Sequence, residues 1–443
     1  MHSWGDRLAV ATPERSYAYR ELFAFVRARQ IDAARLPPGS VVSIEGDYGP
    51  HSIATFLALI DAGHVAVPLS PDSSRQHESF LELASVEFRV KLEAVDDGRV
   101  SIEPTGRTAE HPLYSTLREQ RHPGLVLFSS GSTGQPKAAL HDLSRLLAKF
   151  QTARRCYRTL VFLLLDHIGG VNTLLYTLSN GGAVVIAKNR SPSAVCDAIE
   201  RHRVELLPTS PTFLNLLVLS GQCDTRDFDS LSLITYGTEP MPPSTLERAC
   251  RAFPKARFLQ TYGLTELGIL RSQSRESNSL WVRVGGEDFD CKVVSERLWI
   301  RARSAMLGYL NAPSPFDADG FFDTGDLVET DGEWIRFLGR TSDVINVGGS
   351  KVYPAEVESV LLQMENVTDV VVFGEPHALT GQIVTATIRL GRPESSDEFK
   401  VRMRRFCAER LAPFKLPAKI RVVTEPIHSA RFKRVRQHEP IRA

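Results

Sequence analysis

Residues 129–137 are the segment of the chain in which chemically useful side chains are most closely spaced. The segment combines hydroxyl side chains, two glycines and Lys137, and it directly follows the apolar run at residues 124–128. Backbone N–H groups and hydroxyls in such a loop can bind phosphate oxygens, and the lysine adds a positive charge. The candidate phosphate-binding residues are Ser129, Ser130, Gly131, Ser132, Thr133, Gly134 and Lys137.

This segment departs from the Walker A pattern. A Walker A loop places Gly directly before its lysine and Ser or Thr directly after it. Pro136 and Ala138 occupy those two positions here. The sequence therefore predicts a phosphate loop of a different type, and a flexible Gly/Ser turn is the simpler alternative.

Two shorter segments could complete a nucleotide site. In residues 261–266, Tyr262 offers an aromatic face for a base, Thr265 a donor for a phosphate and Glu266 an oxygen ligand for Mg²⁺. In residues 322–326, Asp326 could accept hydrogen bonds from a pair of ribose hydroxyls. Taken singly, each segment also fits a simpler interpretation, a strand-to-helix turn with a capping threonine or an ordinary turn at Gly325.

The elements that would position these residues alternate along the chain. Apolar runs typical of strands alternate with helical patterns up to about residue 280, then short antiparallel strands follow, and the last ~100 residues indicate a small α+β unit. The predicted helices cover residues 52–62, 143–150, 172–179, 193–201, 354–364 and 399–408. The predicted strands cover residues 65–69, 124–128, 159–164, 183–186, 204–207, 231–236, 280–283, 292–294, 297–301, 333–338, 367–373, 383–388 and 420–423.

Composition excludes several classes of protein. The chain has 443 residues, of which 42% are hydrophobic and 24% charged, and its net charge is +1, as is typical of a soluble globular protein with two to four domains or subdomains. The near-neutral charge argues against a nucleic-acid partner, and no apolar run approaches the ~18 residues of a membrane span. The N-terminus lacks a signal-peptide pattern, and the six cysteines form no C-x-x-C pair, which argues against a zinc site or a disulfide framework. We therefore expect a reduced, cytoplasmic protein.

Positive charge is concentrated near the C-terminus. Residues 392–442 contain 14 Lys/Arg against 6 Asp/Glu, a net charge of +8. This asymmetry predicts a separate unit with its own electrostatic role, and a solvated basic face is the alternative.

A fourth segment, residues 339–356, completes a characteristic series of motifs. It contains Gly339, Arg340, Ser342, Gly349 and Lys351. In this order the four segments resemble the adenylate-forming family, which includes acyl- and aryl-CoA synthetases, peptide-synthetase adenylation domains and luciferases. Residues 56–71 and 298–309 are similar to two further motifs of that family, so the resemblance covers nearly the whole chain.

The resemblance implies an α/β fold in two domains. A large N-terminal domain of layered α/β subdomains plus a short β-rich segment would cover residues 1–341. A small mobile α+β C-terminal domain would cover residues 342–443, with a hinge near Ser342, where the family usually has Asp or Lys.

The resemblance also implies a two-step reaction. A small carboxylic acid reacts with ATP and Mg²⁺ to give an acyl-AMP and pyrophosphate, and the acyl group then passes to a thiol. The chain is most similar to a short stand-alone bacterial acyl- or aryl-CoA ligase, with CoA as the acceptor. A carrier-protein phosphopantetheine, a non-thiol nucleophile such as an amine, and a relative that only binds its ligands are the alternatives, and the oligomeric state stays open.

The resemblance assigns roles in nucleotide binding to the matching residues. Residues 129–137 would hold the β- and γ-phosphates, Thr265 would contact the α-phosphate, and Glu266 would help to hold Mg²⁺. Tyr262 would cover the adenine ring, and Asp326 would bind the ribose hydroxyls with Arg340 nearby. The adenine-site segment would consist of Gly237, Thr238, Glu239 and Pro240.

A catalytic lysine is expected in the basic C-terminal segment. The attack of a carboxylate on the α-phosphorus gathers negative charge, which fixed cations stabilise. Lys433 occupies the position of the family's lysine, although Ile427 and Phe432 stand where the family usually has Pro and Gly. Arg434 is adjacent and could take the same role. The resemblance also places Gly349 and Lys351 at the tunnel for the thiol.

For the acid itself, residues 166–170 are the informative stretch. His167 matches the aromatic or His gate of acyl- and aryl-CoA synthetases, and we expect it to act at the reacting carboxylate. Ile168 stands where adenylation domains for α-amino acids usually have Asp, and a buried ammonium without a partner is costly, so an α-amino acid is disfavoured. Asp166 could reach an amine in another register. The expected pocket neighbours are Tyr236, Gly237, Gly263, Gly268 and Ile269.

Overall fold

The protein's structure is a computed structural model that describes residues 4–92, 100–130 and 135–428. Its first strands are β1 (Leu8–Ala11), β2 (Ser16–Ala18), β3 (Val41–Glu45), β4 (Val65–Leu69), β5 (Phe88–Leu92), β6 (Val100–Pro104), β7 (Gly124–Ser130), β8 (Pro136–Asp142), β9 (Arg158–Leu160), β10 (Ala183–Val185), β11 (Leu206–Thr209), β12 (Leu233–Tyr236) and β13 (Arg257–Gln260). The later strands are β14 (Gly263–Leu264), β15 (Gly268–Ile269), β16 (Ser272–Ser274), β17 (Val282–Val284), β18 (Phe289–Val294), β19 (Arg297–Ala302), β20 (Gly308–Tyr309), β21 (Phe322–Asp331), β22 (Trp334–Arg340), β23 (Ile345–Val347), β24 (Ser350–Val352), β25 (Val367–His377), β26 (Gly381–Leu390) and β27 (Lys419–Val423). The α-helices are α1 (Tyr19–Ala33), α2 (Pro50–Asp61), α3 (His77–Leu83), α4 (Pro112–Gln120), α5 (Leu143–Leu147), α6 (Ile168–Ser179), α7 (Pro192–His202), α8 (Pro211–Leu219), α9 (Pro243–Ala252), α10 (Pro354–Leu361) and α11 (Ser396–Ala408).

Two seven-stranded sheets form the main body of the described chain. The first has the strand order β13-β12-β11-β9-β10-β1-β2, and the second has the order β20-β8-β7-β4-β3-β5-β6. The central neighbours of the first sheet pair in parallel, and the second sheet adds antiparallel partners at both of its ends. The layered α/β architecture expected from the alternating pattern is confirmed.

Three helices fill the space between the two sheets. One apolar cluster contains buried residues of α1, α2 and α6 together with β1 and β10 of the first sheet and β3, β4 and β7 of the second. Ile53, Phe56 and Leu59 of α2 are almost fully buried, and each such side chain contributes roughly 1.5–3 kcal/mol of transfer free energy. Within the described residues, no helix combines the length and apolar character needed to cross a bilayer.

Two segments of candidate nucleotide-binding residues directly follow the ends of β12 and β13. Tyr236 and Gln260 are paired at the ends of these two parallel strands. Since parallel strands release their following loops at the same edge of a sheet, residues 237–240 and 261–266 leave the sheet side by side.

The C-terminal part of the described chain has its own sheet and core. The strand order is β24-β23-β26-β25, with β27 beside β26, and α10 and α11 supply buried residues such as Val357, Phe399 and Met403 to an apolar cluster drawn from residues 345–422. A six-stranded antiparallel sheet, β16-β17-β22-β21-β19-β18, precedes it in the chain. β22 ends at Arg340 and a short 3-10 helix, Thr341–Asp343, leads to β23.

The sequence-predicted boundaries are wrong around the acid segment. The strand predicted at residues 159–164 ends at Leu160, and the helix predicted at residues 172–179 begins at Ile168. β9 is short because its neighbour β10 offers only three residues for pairing. The helix begins early because His167 caps it, its Nδ1 accepting a hydrogen bond from the Gly169 N–H at 3.0 Å, which offsets the low helix propensity of two glycines.

The boundary predicted at Pro208 is also wrong. The strand predicted to end before this residue instead runs from Leu206 to Thr209 and includes it. β9 pairs with β11 only at Leu206, so Pro208 lies beyond the end of that neighbour, where a missing N–H removes no ladder hydrogen bond.

Candidate active site

Glu266 connects the segment of residues 261–266 to the candidate phosphate loop of residues 129–137. Its Oε1 accepts hydrogen bonds from the Tyr309 hydroxyl at 2.7 Å and from the Ser129 hydroxyl at 3.3 Å. Its own carbonyl accepts the Met306 N–H at 2.8 Å. The carboxylate is therefore held, almost fully buried, at the start of the candidate phosphate loop.

The donor set at Glu266 fits a divalent cation held jointly with a nucleotide. Mg²⁺ is usually bound by one or two carboxylates together with substrate phosphates rather than by an all-protein cage. Within the described ranges, no cluster of three or more His, Cys, Asp or Glu could hold a metal ion by itself. A single buried carboxylate beside a phosphate loop matches the first arrangement.

Tyr309 and His141 are site residues that the sequence reasoning missed. The Lys137 ammonium lies 5.1 Å from the centroid of the Tyr309 ring, because β20 pairs with β8 so that Tyr309 stands opposite Ala139. Burial and the neighbouring Glu266 charge raise the pKa of Tyr309, so its hydroxyl keeps its proton and donates to Glu266. The signals in the sequence were the place of Tyr309 in the motif at residues 298–309 and a histidine in the otherwise apolar run before Asp142.

His141 fixes the position of Thr265. Its Nε2 lies 2.7 Å from the Thr265 carbonyl oxygen, to which it donates. Burial lowers the pKa of His141 to about 4, so the imidazole is neutral at physiological pH. A fully buried side chain on the second sheet thus orients the Thr265–Glu266 turn.

Tyr262, Asp326 and Arg340 form a second polar cluster. The Tyr262 hydroxyl donates to Asp326 Oδ2 at 2.6 Å, and Arg340 Nε lies 3.4 Å from Asp326 Oδ1, because β21 and β22 pair Asp326 with Arg340. Burial raises the pKa of Asp326, and the Arg340 guanidinium opposes that effect. One face of the Tyr262 ring stacks on Phe337, with centroids 4.6 Å apart and 17° between planes, so only its other face can meet a base.

The predicted adenine segment contains a strained residue. Thr238 has φ +75°, a left-handed conformation that is rare for a branched side chain. A Cβ on Gly237 would lie 2.7 Å from the Thr261 carbonyl, so only glycine allows the two loops to approach this closely. Glu239 Oε1 accepts the Thr212 N–H at 2.7 Å in the first turn of α8, which anchors the segment.

The expected acid pocket surrounds the start of α6. His167 is the N-cap of this helix and Ile168 is buried behind it. Gly263 and Ile269 are paired between β14 and β15, and a Cβ on Gly263 would lie 2.5 Å from Ile269 Cδ1. Tyr236 is buried at the end of β12. The start of α6 and the β14–β15 hairpin, which carry most of the predicted pocket residues, pack against each other.

Asp166 has a structural partner instead of an open position. Its Oδ2 accepts hydrogen bonds from the Ser70 hydroxyl at 2.6 Å and the Ser70 N–H at 3.3 Å, with the Ser73 hydroxyl at 3.5 Å. This carboxylate therefore ties the segment after β4 to the segment before α6. The geometry gives no support to its binding a substrate amine.

Several predicted residues lie outside the described residues or away from these clusters. Gly131, Ser132, Thr133, Gly134 and Lys433 belong to the first group. Gly349, with φ +87°, is at the tip of the β23–β24 hairpin, and Lys351 Nζ lies 3.1 Å from Glu296 Oε2 at the turn between β18 and β19. The two thiol-tunnel candidates thus lie on the C-terminal sheet, beside the six-stranded sheet.

Models of two protein families match the chain. The family described as AMP-binding enzyme matches residues 1–310, and the AMP-binding enzyme C-terminal domain matches residues 356–432. The 2-succinylbenzoate–CoA ligase of Bacillus velezensis is 29% identical over 460 aligned residues, which cover 93% of this chain and 90% of that protein. The indoleacetate–CoA ligase of Aromatoleum aromaticum is 26% identical, with 95% and 93% coverage.

Solved structures share the fold at low sequence identity. An anthranilate CoA ligase in complex with anthranoyl-AMP has a TM-score of 0.79 at 21% identity, with 98% of this chain and 93% of that chain covered. The o-succinylbenzoate CoA synthetase of Bacillus subtilis, in complex with its acyl-adenylate intermediate, has a TM-score of 0.76 at 24% identity, with 99% and 96% covered. The large N-terminal and small C-terminal units of this chain therefore follow a known architecture.

Proposed function

The chain belongs to the AMP-binding enzyme family, and from this premise we propose that it joins a carboxylic acid to ATP and passes the acyl group to CoA. The first step forms an acyl-AMP and releases pyrophosphate. The second step forms a thioester and releases AMP. The curated relatives named above are CoA ligases, which supports CoA as the acceptor.

The observation that carries the proposal is the position of Glu266. Its carboxylate is buried and bonded to both Tyr309 and Ser129, at the point where the phosphate loop begins. Mg²⁺ bound there would neutralise phosphate charge during the attack on the α-phosphorus. Tyr309 and Ser129 hold the carboxylate in place before ATP arrives, so little reorganisation is needed when the nucleotide binds.

The remaining nucleotide residues position ATP. We assign the ribose hydroxyls to Asp326, the exposed side of the adenine to the Tyr262 ring and the α-phosphate to Thr265, whose backbone His141 fixes. Lys137, beside Tyr309, supplies a cation to the phosphates. Lys433 is proposed as the cation that meets the charge gathered at the α-phosphorus, and its approach requires the C-terminal domain to close on the site.

Two domains that move about Ser342 fit the described contacts. The two parts have separate apolar cores, and the connecting residues 341–343 are solvent-accessible. Three hydrogen bonds link them through α8 and α9: Asn215 Nδ2 to the Thr368 carbonyl at 3.0 Å, Ser244 Oγ to the Ser359 carbonyl at 3.3 Å, and Arg248 Nη1 to the Leu362 carbonyl at 3.4 Å. None of the six cysteines, which all lie in the described ranges, forms a disulfide, and this supports a cytoplasmic setting.

The decisive experiment is ATP–pyrophosphate exchange with aryl, fatty and amino acids, followed by addition of CoA. We expect exchange with at least one acid of the first two groups and CoA-dependent release of AMP. Absence of exchange with every acid would contradict adenylation. Exchange that CoA does not convert into thioester would transfer the acceptor role to a carrier-protein phosphopantetheine or an amine.

A further inference from the structure

Lys149 is a partly buried lysine that none of the proposed steps uses. It belongs to a short 3-10 helix, Ala148–Phe150, that follows α5. Its Nζ donates one hydrogen bond, to the carbonyl oxygen of Ile269 at 3.0 Å. Within residues 4–92, 100–130 and 135–428, no carboxylate lies within ion-pair distance of this ammonium.

The ammonium lies against the expected acid pocket. Ile269 is one of the pocket residues and is paired with Gly263 between β14 and β15. The 3-10 helix and β15 both pack against α6, which begins at the His167 gate. Phe150 and Ile269 join the same apolar cluster as Ile168. The polar end of Lys149 thus contacts one of the elements that are expected to line the acid pocket.

The electrostatics at this position are unfavourable for the protein alone. Burial and, as a smaller cause, the nearby Arg154 charge together lower the pKa of Lys149 to about 8. An ammonium can donate three hydrogen bonds, and a buried cation is stable only when a partner compensates its lost hydration. The aromatic face of Phe150, 5.2 Å from Nζ, and one backbone carbonyl are weak compensation.

We propose that Lys149 selects an acid substrate that carries a second anionic group, such as a second carboxylate, on the part that faces Ile269. The inference rests on the proposed acid-activating function and specifies its substrate class. An anionic group at this position would neutralise the cation that β15 leaves only partly satisfied. Binding of a carboxylate in an apolar pocket without such a cation would be strongly disfavoured. Lys149 would therefore determine whether the protein prefers acids with a second anionic group.

The test compares matched pairs of acids in ATP–pyrophosphate exchange. The pairs are benzoate with phthalate, isophthalate and terephthalate, and butanoate, pentanoate and hexanoate with succinate, glutarate and adipate. Wild-type protein is expected to have a higher kcat/KM for the better diacids than for their monoacid partners. Lys149→Met removes the charge at nearly equal length, and we expect it to lower the diacid-to-monoacid ratio roughly 10–100-fold, mainly through KM of the diacid.

Two controls separate specificity from a structural role. Lys149→Arg keeps the charge and should retain most of the diacid preference. Lys255→Met removes an exposed lysine that pairs with Asp229 and should leave the ratio unchanged. Equal loss of exchange with all acids in Lys149→Met, or a wild-type preference for monoacids that the substitution does not alter, would overturn the inference. Failure of the proposed function is distinguishable, because wild-type protein would then exchange pyrophosphate with no acid at all.

Discussion

The nucleotide half and the acid half of the candidate site are built in different ways. On the nucleotide side, Glu266 and Asp326 are held by side-chain hydrogen bonds from Tyr309, Ser129 and Tyr262. On the acid side, the start of α6 and the β14–β15 hairpin meet through apolar packing and close backbone approach. The first arrangement orients charges for one reaction. In the second, the shape of the pocket and the charge of Lys149 would determine which acid binds. We therefore expect substitutions in the nucleotide half to act equally on all acids.

The largest expected effect is that of Lys433→Ala. Removal of a cation that stabilises transition-state charge should lower ATP–pyrophosphate exchange roughly a thousandfold, by the same factor for every acid that the protein uses. Initial rates with saturating ATP measure this, and Arg434→Ala is the neighbouring control. Retained exchange in Lys433→Ala together with loss in Arg434→Ala would transfer the role to Arg434.

Glu266→Gln should be the next most severe change. The amide keeps the shape of the side chain but removes the charge that would bind Mg²⁺, so exchange should fall roughly a hundredfold and require more Mg²⁺ for half-maximal rate. A magnesium titration of the exchange rate measures both effects. Glu287→Gln, at an exposed position, is the control. An unchanged magnesium requirement would count against a role for Glu266 at the metal.

Asp326→Asn should have a smaller effect, restricted to the nucleotide. Loss of a charged acceptor for the ribose hydroxyls should raise KM for ATP roughly tenfold while kcat changes less. Steady-state kinetics with ATP and with a deoxyribose analogue of ATP test this, because the Asp326→Asn variant should discriminate less than wild type between the two nucleotides. Asp290→Asn, which only breaks an exposed pair with Arg301, serves for comparison. A shift in acid preference would show that the two halves are coupled.

The smallest predicted effect concerns stability and pH. The pKa of His141 is about 4 in the folded protein and about 6.5 in an unfolded chain, so below pH 6.5 the unfolded state binds a proton that the folded state does not. This contribution to stability is fully present above pH 6.5 and is lost as the pH falls towards 4. Between pH 7.5 and 5.5 the loss is about 1 kcal/mol.

Urea unfolding at the two pH values measures this difference. His141→Gln should flatten the pH dependence by the stated amount, and His377→Gln, at an exposed histidine, should not. An identical pH dependence in wild type and His141→Gln would mean that His141 does not titrate differently on unfolding.

The sequence was informative where function depends on short contiguous segments. The layered fold, expected from apolar runs that alternate with helical patterns, is confirmed, whereas the roles assigned to Glu266 and Asp326 from residues 261–266 and 322–326 stay predictions. The roles of Tyr309, His141 and Phe337 could not be found this way, because each meets its partner across a different strand. For Tyr309 the sequence offered only its place in the motif at residues 298–309. The start of α6 was missed for the opposite reason, since two adjacent glycines oppose a helix locally while the His167 cap supports it.

Lys149 illustrates a different limit. A lysine at the end of a helical pattern normally indicates a solvated surface position, and only the approach of β15 from more than 100 residues away makes it a partly buried cation. The sequence around Lys149 would have the same pattern whether the side chain were solvated or covered by β15. Substrate choice is thus encoded in a contact that only the tertiary structure reveals.

The placement of α6 in the middle layer of the fold has a consequence for protein engineering. The Tyr19 hydroxyl lies 3.4 Å from the Leu178 carbonyl near the C-terminus of α6 and donates to the Gly182 carbonyl after it at 2.7 Å, so the helix that His167 caps is anchored in the innermost part of the protein. A Cβ at Gly170 would lie only 1.8 Å from the Leu164 carbonyl. Libraries that randomise the first turn of α6 would therefore yield mostly misfolded variants, whereas the exposed Ala148 in the 3-10 helix can be diversified at far lower risk.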